Sequence, residues 1–315
     1  MGPGNTPMVK AGEVYAKLEC VNPTGSIKDR IAKYIFDKSE EKGFLKPGMT
    51  IVEASSGNTG IAMSYFAKQK GYPITIVMPE NMSDERKQLI EGLGANLILC
   101  SEGDFAEAAA IRNKIADNPE FFNPDQFSNP LNVECHKVTT GSEIIEQIKP
   151  YSDIIDAFVA GVGTGGTLIG VAKALKEINP DVHIAAVEPA ESPVMSGGKS
   201  GIHEIQGIGD GFIPAIAGDG GDGLHEIIDE VICISSEDAK NAAMNIQKEF
   251  GFCVGISSGA NYLAAIQLRE KYKTVVTVFA DGFVKYMSNG LSRLEENKCI
   301  YEDKNSLYYK MIENK

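Results

Sequence analysis

Eight short apolar runs, many separated by stretches of helical periodicity, constrain this 315-residue chain more than any other feature. They are 14–20 (VYAKLEC), 49–54 (MTIVEA), 73–78 (PITIVM), 96–100 (NLILC), 154–162 (IIDAFVAGV), 183–188 (HIAAVE), 230–234 (EVICI) and 274–280 (TVVTVFA). Runs of this length, rich in β-branched residues, read as strands. Stretches 104–116 (DFAEAAAIRNKIA) and 238–250 (DAKNAAMNIQKEF) read as helices. Alternation of this kind builds parallel sheets covered by helices on both faces, so the fold class is α/β. The length suits one large or two medium domains. The Pro/Asn-rich stretch 118–132 is the expected crossing between two lobes. In open α/β sheets ligands sit at the carboxyl ends of strands, which directs attention to the strand-to-helix turns.

Bulk properties exclude several classes. A net charge of −13 speaks against binding nucleic acid or an anionic membrane surface. No apolar run reaches the roughly 18 residues of a membrane span. The first ten residues, MGPGNTPMVK, lack the charged-then-apolar pattern of a signal peptide. A cytoplasmic protein is expected. The six cysteines form no CxxC pair, and their spacing suggests no disulfide framework. Adjacent Cys135 and His136 come nearest to a metal site, but adjacent residues rarely ligate one ion alone, and no metal is expected.

Three turns and one loop carry chemistry. Residues 161–167, GVGTGGT, follow the strongest apolar run and precede a helical pattern. Backbone amides and the Thr164 and Thr167 hydroxyls converge there on a helix start, which suits a phosphate. Gly161, Gly163 and Gly166 also match G-x-G-x-x-G, and Glu188 stands where a dinucleotide-binding acid would, so an NAD-binding Rossmann protein is a competing reading. Residues 53–60, EASSGNTG, place Ser55, Ser56, Asn58 and Thr59 at a second helix start, suited to a carboxylate. In 22–30, NPTGSIKDR, Ser26 and Asp29 have capping-box spacing, which puts Lys28 in the first helical turn. The positive end of the helix dipole disfavours an ammonium there, and a lysine that readily loses its proton is what Schiff-base chemistry needs. Residues 206–214, QGIGDGFIP, surround Asp210 with glycines; it is either a turn residue or a carboxylate facing a reacting group.

Together these stretches resemble the cysteine synthase / cystathionine β-synthase family of pyridoxal-phosphate enzymes over nearly the whole chain. NPTGSIKDR is similar to that family's cofactor-lysine motif, SSGNTG to its substrate loop and GTGGT to its phosphate cup, with QGIGDGFIP and GISSGAN (255–261) following in the usual order. The resemblance implies a two-domain, tryptophan synthase β-like fold with twisted, largely parallel sheets. Residues 23–130 would form a smaller mobile domain, and 1–22 with 131–315 a larger one. It further implies that Lys28 holds the cofactor as an internal aldimine and then removes the substrate α-proton. Gly163, Thr164, Gly165, Gly166 and Thr167 would hold the phosphate, and Asn58 the ring hydroxyl oxygen. Ser55, Ser56, Gly57, Thr59 and Gln126 would take the substrate carboxylate. Ser257 would face the pyridine nitrogen, leaving it largely neutral and favouring β-elimination and β-replacement through an α-aminoacrylate over transamination; a plain helix cap would explain the same serine. The substrate is then a small amino acid, and the expected assembly a homodimer.

Two departures from the family pattern matter. Where the family shows Pro-Asp and then Arg-Tyr-Leu-Ser, this chain has Ala280-Asp281 and Lys285-Tyr286-Met287-Ser288; that difference is expected at the C-terminal edge. Where typical members carry a small apolar residue between the glycines, this chain carries Asp210. A carboxylate there repels hydrosulfide, by a few kcal/mol at about 4–5 Å and an effective dielectric of about 20. Water instead gains from a general base. The favoured reaction is therefore L-cysteine plus water to L-serine plus hydrogen sulfide. Cysteine synthesis from O-acetylserine, and condensation with a thiol to lanthionine or cystathionine, stay open. Cys253, four residues before Ser257, is expected to be a small buried hydrophobe.

Overall fold

A computed structural model describes residues 2–55, 57–221, 223–291 and Cys299. In chain order the elements are β1 (Met8–Ala11), β2 (Val14–Leu18), α1 (Lys28–Glu41), β3 (Thr50–Ala54), α2 (Asn58–Lys70), β4 (Ile74–Pro79), α3 (Asp84–Gly92), β5 (Asn96–Cys100), α4 (Phe105–Ala116), β6 (Phe121–Phe122), α5 (Pro130–His136), α6 (Ser142–Ile148), β7 (Ala157–Gly161), α7 (Gly166–Ile178), β8 (His183–Pro189), β9 (Glu230–Ile234), α8 (Ser236–Phe250), α9 (Ile256–Arg269) and β10 (Val275–Phe279). All eight expected strands are present. β1 and β6 were not foreseen: β1 is only four residues long and contains Lys10, and β6 is only two.

The strands form two sheets. One is six-stranded in the order β1-β2-β10-β7-β8-β9; the other is four-stranded in the order β5-β4-β3-β6. Every pairing is parallel except the β1–β2 hairpin, which turns through Gly12 at a φ of 58°. Central strands β4, β7 and β10 bury nearly every side chain, as parallel strands covered on both faces must. The stretch 118–132 does not merely cross between sheets. It supplies β6 to the smaller one and then, through Asn129, whose side chain accepts from Leu131 N–H, caps α5. One apolar cluster runs through both sheets, from Ile51 and Ile76 through Ile31 and Leu131 to Ala157 and Phe279.

A buried charge cluster fixes the start of α1. Arg30 Nε lies 2.7 Å from Glu19, and Arg30 Nη1 lies 2.7 Å from Glu143, which also takes Lys17 Nζ at 2.7 Å. The cluster ties α1, which opens with Lys28, to the end of β2 and to α6. The cap itself differs from the expectation. Asp29 accepts from Thr24 N–H at 2.6 Å and from the Thr24 hydroxyl, while Ser26 Oγ only receives Lys28 N–H at 3.3 Å. Thr24, two residues earlier, takes the place of Ser26 as the partner of Asp29.

The cysteine expectation is also corrected. Cys253 and Cys299 are joined in a disulfide, with Cα atoms 5.5 Å apart and a separation of 46 positions along the chain. Spacing along the chain carries no trace of this, because pairing at such a separation is a tertiary event. Among the described residues no helix is long and apolar enough to cross a membrane, and no cluster of three His, Cys, Asp or Glu is arranged to hold a metal.

Candidate active site

The loops at the carboxyl ends of β3, β7, β8 and β10 converge on one cavity. Lys28, Asn58, Thr59, Gln126, Gly163, Thr164, Gly165, Thr167, Asp210 and Ser257 all line it, so most of the residues singled out by sequence meet in one place. Gly166 lies under the cup rather than in its wall. Its Cα hydrogen faces Asn132, whose Oδ1 would be 1.9 Å from an added Cβ. Ser55 and Gly57 also stand behind the lining. Ser55 Oγ accepts from Gly57 N–H at 3.1 Å and Gly60 N–H at 2.8 Å, which shapes the loop around the start of α2. Ser56 falls outside the described residues.

Lys28 is the first residue of α1. Burial pushes its ammonium below the usual lysine range, against the pull of Asp210 and Asp281. The helix start acts in the same direction. At the opposite wall, Gly163 is the point of closest approach: a Cβ there would sit 2.3 Å from Gly207 O, so the cup and the Asp210 loop can touch only through a glycine. The first N–H groups of α7 have no partner within the helix, and that of Gly166 donates to Thr164 Oγ1 at 3.3 Å. Thr167 Oγ1 lies 3.3 Å from His136 Nε2, and His136 Nδ1 lies 2.9 Å from Thr140 Oγ1. Burial and the cations Lys28 and Arg30 hold His136 well below the usual histidine range, so it is neutral, with a threonine hydroxyl at each ring nitrogen.

Gln126 and Thr59 form a second polar wall. Thr59 donates to Gln126 Oε1 at 2.7 Å, and Gln126 Nε2 donates to Ala54 O at 3.1 Å. Ser257 is the second residue of α9. Asn261, one turn on, accepts from Gly161 N–H and donates to Val278 O, both at 2.8 Å, and so locks α9 to the ends of β7 and β10.

Asp210 stands where two cavities meet. It lines the inner one, of about 60 Å³, and an outer one of about 390 Å³ bounded by Phe105, Ser200 and His203. Its loop answers why glycines surround it: Gly207, Gly209 and Gly211 have φ values of 93°, 70° and 85°, a left-handed path that other residues resist. Burial pushes the Asp210 carboxyl above the ordinary aspartate range, opposed by Lys28 and then His203. His203 donates from Nε2 to Gly209 O at 2.8 Å and so braces the loop.

Sequence reasoning missed the group behind Asn58. Lys285 Nζ donates to Asn58 Oδ1 at 2.8 Å, Asn58 Nδ2 donates to Asp281 Oδ2 at 2.7 Å, and Tyr286 O–H donates to the same oxygen at 2.6 Å. The C-terminal departure is thus not at an edge. Ala280 lines the cavity, Asp281 and Lys285 lie directly behind it, and the one visible signal was the retained aspartate followed by a lysine. Burial pushes Lys285 down to about 8.

The dinucleotide reading fails on Glu188. That carboxylate is buried and accepts from the N–H groups of Met195 and Ser196, at 2.7 and 2.9 Å, and from the Ser196 hydroxyl at 2.6 Å, so it braces a loop. The donor set that remains fits pyridoxal phosphate. Amides and threonine hydroxyls at a helix start suit its phosphate, a lysine with a weakened proton suits its aldehyde, and an uncharged Ser257 and an amide at Asn58 suit its ring.

Comparison with known proteins agrees. Residues 1–281 match the family model described as pyridoxal-phosphate dependent enzyme. A cysteine synthase of Staphylococcus aureus is 44% identical over 306 residues, covering 93% of this chain and 96% of that protein. A hydrogen sulfide-producing enzyme from Fusobacterium nucleatum is 42% identical with a TM-score of 0.85, covering 96% of this chain and 93% of that one. An Asp-to-Asn variant of that enzyme has been crystallised with an α-aminoacrylate intermediate. O-Acetylserine sulfhydrylase isoform 3 from Entamoeba histolytica is 37% identical with a TM-score of 0.83, covering 97% and 94%. A family match across most of the chain, relatives far above 30% identity and a cavity with the matching donor set lead to one conclusion: this chain is a pyridoxal-phosphate-dependent enzyme of the cysteine synthase family, built for β-replacement on small amino acids.

Proposed function

We propose that the enzyme converts L-cysteine and water into L-serine and hydrogen sulfide, with Asp210 as the base that activates water. The observation that carries this is the position of Asp210 between a narrow inner cavity and a wider outer one, on a loop held by left-handed glycines. Bound pyridoxal phosphate supplies the electron sink that weakens the bonds at the α- and β-carbons. On our reading Lys28 takes the α-proton and Ser55, Ser56, Gly57, Thr59 and Gln126 bind the carboxylate. Gly163 to Thr167 hold the phosphate, Asn58 the ring hydroxyl, and Ser257 faces the ring nitrogen. The carbon–sulfur bond breaks and hydrosulfide leaves with the electron pair. A water oxygen then bonds to the β-carbon, its proton passes to Asp210 and from there to hydrosulfide, and Lys28 returns its proton to the α-carbon to give serine. A protonated Asp210 would lose that role, so its raised pKa must still lie below working pH.

Support from relatives is double-edged. The F. nucleatum protein is named for hydrogen sulfide production, and an Asp-to-Asn variant of it is known in complex with an α-aminoacrylate intermediate. The S. aureus relative is named cysteine synthase, which favours a second reading, O-acetylserine plus sulfide to cysteine. Charge decides for us, because Asp210 repels hydrosulfide and helps water. We further propose that residues 23–130 act as a smaller lobe that closes on the substrate carboxylate, and that the enzyme is a homodimer, which sedimentation of the holoenzyme checks.

The direct test is Asp210→Asn. The holoenzyme variant given L-cysteine should release a burst of about one sulfide per site and then stall, with serine formation down by about 10²–10⁴-fold. Serine output equal to that of the parent enzyme rejects the proposal.

A further inference from the structure

We infer that Lys285, acting with Asp281, is a positioning residue that sets which way the Asn58 amide faces and so aims one of its N–H groups at the ring hydroxyl oxygen of pyridoxal phosphate. The inference rests on the reading of Asn58 as the ring ligand. It begins from the two ends of the amide. The oxygen, Oδ1, accepts from the Lys285 ammonium at 2.8 Å, and the nitrogen, Nδ2, donates to the Asp281 carboxylate at 2.7 Å. Turning the amide over would place its NH₂ against an ammonium and its oxygen against a carboxylate. Both contacts would become repulsive, so the two charges together select one orientation.

An amide nitrogen carries two N–H groups. One is spent on Asp281, and the other is left for the cavity that Asn58 lines. The frame behind it is rigid. Lys285 is 2% exposed and also donates to Gly25 O at 3.2 Å, in the loop just before Lys28. Asp281 is fully buried and held by the Tyr286 hydroxyl, and the Arg86 guanidinium lies over the Tyr286 ring, 4.9 Å from its centre. Lys285 does not itself line the cavity, so any effect on cofactor binding must pass through Asn58 or through the Gly25 loop.

The experiment separates those two routes. Apo-enzyme is titrated with pyridoxal phosphate and with an analogue lacking the ring 3-hydroxyl, and binding is followed by absorbance and protein fluorescence. Lys285→Met should weaken pyridoxal phosphate binding about tenfold, the value of one hydrogen bond, and leave the analogue unchanged. In an Asn58→Ala background the same substitution should add nothing. Lys285→Arg, which keeps a charged donor, should stay within about threefold of the parent. Asp281→Asn approaches the same amide from its other end and should mimic Lys285→Met, which covers the case in which the methionine variant does not fold. A loss that is equal for both ligands, or that persists in the Asn58→Ala background, overturns the inference and points to Gly25. If Asn58→Ala alone leaves pyridoxal phosphate affinity unchanged, it is the reading of Asn58 that fails, and the inference falls with it.

Discussion

Lys28 and Asp210 were legible in the sequence because each carries its own local argument: a lysine at a helix start, a carboxylate among glycines. Their electrostatics then depend on the fold. Burial acts on both against the charged form, while each supports the other's charge. For Asp210 the sign is definite. Water activation needs the carboxylate, its pKa lies above the ordinary value of about 4, and activity is lost as pH falls through that raised pKa. We expect the pH profile of kcat/KM for serine formation to show an acidic limb above pH about 4 that belongs to Asp210. A profile flat down to pH about 4 contradicts that assignment. Lys285 and Asp281 were not legible as site residues. They reach Asn58 across 227 and 223 positions, and nothing near Asn58 in the chain announces them.

At the scale of elements, the alternation of apolar runs and helical periods identified the strands that position the site, and it missed only β1 and β6, which are too short to stand out. The start of α1 was placed correctly, but its cap was not, because Thr24 and Ser26 offer the same chemistry two residues apart. What anchors that helix is the ion cluster, also invisible in sequence. Removing one member of a buried ion set leaves the others uncompensated, at a cost of about 3–5 kcal/mol. Arg30→Met should therefore lower the free energy of unfolding by that amount in denaturant titration, and a loss under about 1 kcal/mol would show that the cluster does not secure α1. Lys17 and Arg30 hold Glu143 down at about 2. Its share of the stability is thus present above the ordinary glutamate pKa and fades as pH falls toward 2.

Among the described residues, two largely parallel sheets share a continuous apolar cluster and direct their carboxyl-end loops at one cavity. Family membership follows from that arrangement together with the relatives; the choice of second substrate does not, and it turns on one aspartate. That choice is the central claim. It is tested most directly by incubating the holoenzyme with L-cysteine alone in ¹⁸O-water and identifying every product by mass. The account predicts serine and sulfide in equal amounts, with the heavy oxygen in the serine hydroxyl. Lanthionine or pyruvate in place of serine, or no sulfide at all alongside brisk cysteine formation from O-acetylserine, would contradict it.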